Sequence, residues 1–231
     1  MVISSRTRLV ALLGHPVAHS LSPRMQNAAF AARGLDWAYV ALDVATARFA
    51  EAVRGLAASG FEGANVTAPH KLAAAKLCDE ADAESVNTLV FEDARIVGTS
   101  TDAAVLDQVT PCRQAVIVGA GGAARAFAAA LPDARVFSRR GEWPPDVREA
   151  DLVVHATPVK DVALFELRAG QTLVDLPYPE SATADAARAA GATVIDGLEV
   201  LVRQGAASFE RWTGVPAPLD VMRNAVRLVD T

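Results

Sequence analysis

Long apolar runs are missing from this 231-residue chain. The run near its start, Leu9 to Leu13, is cut off at once by Gly14-His15-Pro16. It is too short for a signal-peptide core or for a membrane span, which needs roughly 20 apolar residues. Cysteine is scarce: Cys78 and Cys112 stand far apart with no CxxC or ligand spacing, so neither a disulfide framework nor a zinc site is expected. Positive charge is in deficit, with 22 Lys and Arg against 27 Asp and Glu and a net charge of -5. That balance argues against a nucleic-acid or anionic-membrane partner, which would call for clustered cations. Neither the 15 Gly nor the 12 Pro suffice for low complexity or disorder. The expectation is a globular cytoplasmic protein, a monomer or homodimer, with a small-molecule partner and enough apolar residues for one large core or two compact ones.

Short β-type runs alternate with Ala-rich helical stretches from end to end, the pattern of α/β sheets with helices on their faces. Two such sheets are expected. Strand candidates in the first half are Leu9 to Leu13, Trp37 to Val44, Gly63 to Val66, and a hairpin of Thr88 to Phe91 with Arg95 to Gly98. Ser22-Pro23 predicts an N-cap and first-turn pair for a helix running to about Arg33, and Phe49, Val53 and Leu56 form one apolar stripe. From about Ala115, strand candidates recur at Ala134 to Phe137, Asp151 to Val154, Thr172 to Leu176 and Ala192 to Ile195. Helices over Glu199 to Trp212 and Leu219 to Val229 can fold back onto the first lobe. The predicted organisation is a lobe of residues 1–102 completed by 198–231, a second lobe of residues 103–197, and a cleft between them.

Gly119-Ala120-Gly121-Gly122-Ala123-Ala124 follows an apolar strand and opens a helix, the context that gives a GxGxxG/A match its weight. The first glycine makes the tight turn, the second admits a pyrophosphate, and the small last residue lets helix and strand pack closely. Helix N–H groups then face the phosphate. Around 20 residues on, a NAD site offers an acid to the ribose, whereas Ser138-Arg139-Arg140 stands here. Two guanidiniums suit a 2′-phosphate, so the cofactor expected is NADP.

In the first lobe, His15-Pro-Val-Ala-His19-Ser20-Leu-Ser22-Pro23 lies between a strand and a helix start. Its hydroxyls and free N–H groups would suit a carboxylate, although spacing alone serves equally well for a cap and a loop. His15 and His19 are four apart, but Pro16 and the loop context argue against a metal pair. Asn65-Val-Thr67-Ala-Pro-His70-Lys71 brings an amide, a hydroxyl and an ammonium into one short turn, a set able to bind a polyol. Lys71 in a desolvated cleft with Asp102 beside it is a candidate proton carrier; an exposed lysine and a helix cap remain the plainer readings. No catalytic part is assigned to His70 or His155, and Trp37, Trp143 and Trp212 are expected to pack.

These blocks resemble a family. GHPVAHSLSP, NVTAPHK, VNT ending at Thr88, TD at Asp102, GAGGAAR, HATPV and DGLEVLVRQGAASFERWTG occur in the order seen in shikimate dehydrogenases, and they span nearly the whole chain. The resemblance implies an N-terminal α/β substrate-binding domain and a Rossmann-like NADP domain. It also implies reversible reduction of 3-dehydroshikimate to shikimate, with Lys71 and Asp102 as the catalytic pair; a dehydrogenase of quinate or a related ring acid, or a catalytically idle ligand-binding relative, stays open as the alternative. Ser20 and Ser22 would hold the substrate carboxylate, Thr67, Asn87 and Gln204 would bind hydroxyls, and Tyr178 would approach the substrate; Asn65, from the polyol-binding turn, is counted with the substrate-binding residues. Gly119 to Ala123, Ser138, Arg139, Arg140 and Thr157 would meet the cofactor, with no metal. The chain departs from the pattern at Ser100, Val105 and His155, between Asp79 and Asn87, and after Pro158, where the loop is abbreviated.

Overall fold

The computed structural model describes residues 3–93 and 95–227, which divide into two compact units. Of the described residues, those up to 101 and from 202 onward form the first, residues 102–201 the second.

The first unit is built on β1 (Arg8–Gly14), β2 (Trp37–Asp43), β3 (Gly63–Val66), β4 (Glu80–Ala81), β5 (Thr88–Glu92) and β6 (Arg95–Thr99), in the order β2-β1-β3-β5-β6-β4. Pairing is parallel through β2, β1 and β3, then antiparallel through the β5–β6 hairpin. The edge strand β4, two residues long, had no signature in the sequence. β1 is central and apolar on both sides, as a strand covered by helices on each face must be. Ala11 and Leu13 pack with Phe49 and Val53 of α2 (Phe49–Ala58) and Ala74 of α3 (Lys71–Leu77). The opposite face is covered by α1 (Ser22–Ala32), where Phe30 stacks on Phe209 with centroids 5.3 Å apart.

Phe209 belongs to the helix Gly197–Thr213, here α6, and Leu219–Arg227, here α7, follows it. Gln26 Nε2 donates to the Gly205 carbonyl at 2.9 Å, and a Cβ on Gly205 would meet Met25 Cε at 2.2 Å, so the glycine sets how closely α6 lies on α1. The end expected for the last helix, Val229, lies outside the described residues.

The Ser22 cap is corrected. Leu21, in the right-handed helical region, holds the cap position without a side-chain bond, and Ser22 is the first helical residue. The Ser22 N–H instead donates to Ser20 Oγ at 3.3 Å, which leaves the Ser22 hydroxyl out of the capping scheme. Cys78 is half-buried, and burial, with help from Asp79 and Asp82, pushes its thiol up to about 11.

The second unit is an all-parallel sheet, β11-β10-β9-β7-β8, of β7 (Ala115–Val118), β8 (Arg135–Phe137), β9 (Leu152–His155), β10 (Thr172–Asp175) and β11 (Thr193–Ile195). Alternation along β7 and β9 sends Val116, Val118 and Val153 to one core and Ile117, Leu152 and Val154 to the other. The first core packs on α5 (Ala182–Ala189), the second on α4 (Gly122–Ala130). Asp102 opens a 3-10 segment, Asp102–Gln108, and not a regular α-helix. Val105 in that segment, one of the departures from the resembled pattern, is fully buried in the second core, which accounts for a branched apolar side chain there. No helix among the described residues is long and apolar enough to cross a membrane.

Candidate active site

In the first unit the polar residues collect at the carboxyl ends of β1 and β3, where parallel strands of α/β sheets present their ligand sites. The loop after β1 carries Ser20 and leads into Ser22 at the start of α1; the loop after β3 carries Thr67 and leads into Lys71 at the start of α3. Two backbone bonds tie the loops together, Thr67 N–H to the Leu13 carbonyl at 2.9 Å and His15 N–H to the Ala68 carbonyl at 3.1 Å. Gly14 makes that approach possible, since a Cβ there would stand 2.3 Å from Thr67 Cγ2. Lys71 is half-buried, and its carbonyl accepts from Val86 N–H at 3.2 Å, beside Asn87.

Asn87 is the centre of this cluster. Its Nδ2 donates to Thr101 Oγ1 at 2.9 Å and to Gln204 Oε1 at 3.1 Å, and its Oδ1 accepts from Thr101 N–H at 2.8 Å. Sequence positions 87 and 204 are thus brought into contact. Thr101 and Ser208, both buried, complete the network and had not been singled out. Ser208 stands one helical turn after Gln204 on the same face of α6, a spacing that could have revealed it. Asp102, peptide-bonded to Thr101, is 6% exposed.

Asn65 has a different place from the one expected. It is buried, its Oδ1 accepts from Tyr39 O–H at 2.8 Å, and its Nδ2 faces the Asn87 carbonyl at 3.0 Å, Ser208 Oγ at 2.9 Å and Thr88 Oγ1 at 3.1 Å. Two amide hydrogens already face three internal acceptors, so Asn65 holds Asn87 in position and has no donor left for a ligand. Asn65→Ala is expected to cost about 3 kcal/mol of stability through the hydroxyls and carbonyl it strands, measured by chemical denaturation. His15 pairs with Asp43, Nδ1 to Oδ1 at 2.5 Å, and among the described residues no group of three or more His, Cys, Asp or Glu could hold a metal.

In the second unit a cavity of about 440 Å³ opens over the glycine turn. Gly119, Ala120 and Gly121 form its floor, Ser138, Arg139, Arg140 and Trp143 one side, and Ala156 to Val159 with Leu164 the other. The turn fits a dinucleotide. Gly119 has φ 143°, and a Cβ there would stand 2.5 Å from the Ala156 carbonyl oxygen. Gly121 has open space within 4 Å of where its Cβ would be, the room a pyrophosphate needs. Gly122 begins α4 and Ala123 follows in its first turn, so their N–H groups belong to the unpaired helix start. Arg139 and Arg140 are exposed on the rim. Trp143 corrects the packing expectation: Trp37 and Trp212 are buried, but Trp143 is 37% exposed and lines the cavity, its ring centroid 5.8 Å from the Arg139 guanidinium carbon. Tyr178, half-buried, lies in the loop after β10.

Residues 12–89 match the family model described as shikimate dehydrogenase substrate binding domain, and residues 197–227 match the shikimate 5'-dehydrogenase C-terminal domain. An NADP(+) shikimate dehydrogenase of Anaeromyxobacter dehalogenans is 41% identical over 97% of this chain and 98% of its own length. The chain belongs to the shikimate dehydrogenase family. A Methanopyrus kandleri shikimate dehydrogenase is 38% identical, covering 97% of this chain and 96% of its own. The Thermus thermophilus shikimate dehydrogenase solved with NADP(H) and shikimate superposes with a TM-score of 0.84 at 32% identity, over 95% of this chain and 98% of that one. Another shikimate dehydrogenase, solved with NADP+, gives a TM-score of 0.89 at 32% identity over 98% and 96%. The first of these alignments runs over 271 positions against 231 residues here, so within the matched span this chain is shorter than that relative.

Proposed function

We propose that this chain is an NADP-dependent shikimate dehydrogenase that interconverts 3-dehydroshikimate and shikimate. The observation that carries the reading is the joining of Asn87 to Gln204 beside the Ser20, Thr67 and Lys71 loops, in a chain so closely related to enzymes of that name. Shikimate has one carboxylate and a face of hydroxyls. Ser20 and Ser22 supply hydroxyl donors at a helix start for the carboxylate, while Thr67, Asn87 and Gln204 offer the mixed donors and acceptors that neighbouring hydroxyls require. Tyr178 adds a further contact to the ring.

NADP supplies the hydride acceptor, or donor in the reverse direction. The protein handles the proton: Lys71 Nζ takes it from the ring hydroxyl as the carbonyl forms and returns it on reduction, with the Asp102 carboxylate orienting the ammonium. Gly119 to Ala123 receive the pyrophosphate, Ser138, Arg139 and Arg140 the 2′-phosphate, and Thr157 forms part of the opposite wall. The first unit serves as the substrate domain, the second as the cofactor domain. The cytoplasm, which holds NADPH and keeps Cys78 and Cys112 reduced, is the compartment that suits this chemistry.

Purified protein should form NADPH from NADP+ and shikimate, and should discriminate against NAD. Arg139→Gln with Arg140→Gln is expected to raise KM for NADP+ by about 10- to 100-fold through lost charge-assisted bonds, with little change in KM for NAD or shikimate. Absence of turnover with shikimate, alongside turnover of quinate, would replace the substrate and keep the mechanism.

A further inference from the structure

His155 is a fully buried ionisable side chain that the chemistry above leaves without a task. It ends β9, in register with Val118 of β7 on one side and Asp175 of β10 on the other, directly beneath the glycine turn. Its Nδ1 lies 2.6 Å from Asp175 Oδ1 and its Nε2 2.6 Å from Thr157 Oγ1. Asp175, also fully buried, accepts from Ser181 Oγ at 2.9 Å and from Ser181 N–H at 3.3 Å. Thr157 Oγ1 in turn accepts from Val159 N–H at 3.2 Å. One line of hydrogen bonds therefore runs from Ser181 through Asp175, His155 and Thr157 to Val159, and its last two residues line the nucleotide cavity.

The buried pair is not explained by stability. Central parallel strands are ordinarily apolar at such positions, and well-packed apolar side chains are often as stable as a buried polar pair, or more so. The bond directions suggest what the pair does. A carboxylate only accepts, so Nδ1 presents a proton to Asp175; where that is the only proton on the ring, Nε2 accepts and Thr157 O–H donates to it. With its proton turned inward and one lone pair on Val159 N–H, Thr157 can offer the cavity only an acceptor.

We propose that His155 and Asp175 are a positioning pair that fixes Thr157 as a hydrogen-bond acceptor in the cavity wall, where it takes a donor of the bound dinucleotide and braces the 156–159 loop against Gly119. The proposal rests on the NADP reading above and assigns a task within it. Asp175→Asn is the discriminating variant. The Asn oxygen must face Ser181 N–H, so its NH2 faces Nδ1 and forces the ring into the Nε2–H tautomer, which turns the Thr157 hydroxyl from donor to acceptor toward His155.

Nitrogen-15 NMR of the unliganded protein should show His155 protonated at Nδ1, and Asp175→Asn should move that proton to Nε2. Calorimetry should find NADP+ bound about tenfold more weakly by Asp175→Asn and by Thr157→Val, with shikimate affinity unchanged. The double variant should be no weaker than either single one, because both act through one hydroxyl. A wild-type ring protonated at Nε2, or additive losses, would overturn the positioning role. So would NADP+ binding insensitive to Thr157→Val, a variant that settles the matter even if Asp175→Asn does not fold. Failure of the wild-type protein to bind NADP+ at all would instead overturn the functional reading on which the proposal stands.

Discussion

Lys71→Ala should lower kcat for shikimate oxidation by about 10³-fold while leaving KM for shikimate within about threefold, because it removes the proton carrier and not the groups that hold the ring. The side chain is half-buried at the first position of α3, and the bond that Val86 makes is to the Lys71 carbonyl, which alanine keeps. The fold should therefore survive, and a melting curve close to that of the wild type is part of the prediction. Lys71→Arg is a sharper companion. It retains the positive charge but cannot give up a proton near neutrality, so it should be nearly as inactive as alanine. An arginine variant with substantial activity would mean that charge, and not proton transfer, is what position 71 supplies.

Gly119→Ala and Gly121→Ala should separate stability from binding within a single turn. Gly119 combines φ 143° with a backbone oxygen 2.5 Å and a backbone carbon 2.9 Å from the added Cβ, both of Ala156. Neither neighbour is a flexible side chain that can move aside. Strain and overlap together should cost about 3 kcal/mol and lower the melting transition by about 10 °C, with NADP+ binding lost because β7 and the 156–159 loop are pushed apart. At Gly121 nothing lies within 4 Å of the added Cβ, so stability should hold. Its methyl group instead occupies the approach to the pyrophosphate, and KM for NADP+ should rise by about tenfold or more with the melting temperature unchanged. Equal destabilisation by both substitutions would show that the turn is merely structural.

What the sequence made legible was local. An apolar strand, a glycine turn and a helix start lie within ten residues of one another in AVIVGAGGAA, and β1 announces its double burial by an unbroken apolar run. Features decided by distant partners were not readable. Ser22-Pro23 carries the local signature of a helix cap, yet Ser20 Oγ takes the Ser22 N–H and Leu21 holds the cap position. Asn65 looked like a ligand contact from its neighbours in NVTAPHK, while its partners Tyr39, Asn87 and Ser208 come from three other segments. Trp143 looked like a packing group because its exposure depends on how the 138–143 turn sits over the cavity. His155 and Asp175 are 20 positions apart, and only the register of β9 on β10 places them side by side.

Everything proposed for the two units depends on one transfer: a hydride leaves the ring carbon bearing the oxidised hydroxyl of shikimate and arrives on NADP. Shikimate deuterated at that carbon tests this directly, with mass analysis of the NADPH formed by the purified protein. One deuterium per NADPH is expected, with almost no labelled NADPH from Lys71→Ala over the same interval. NADPH without label, or no NADPH from a folded protein that binds both shikimate and NADP+, would contradict the transfer.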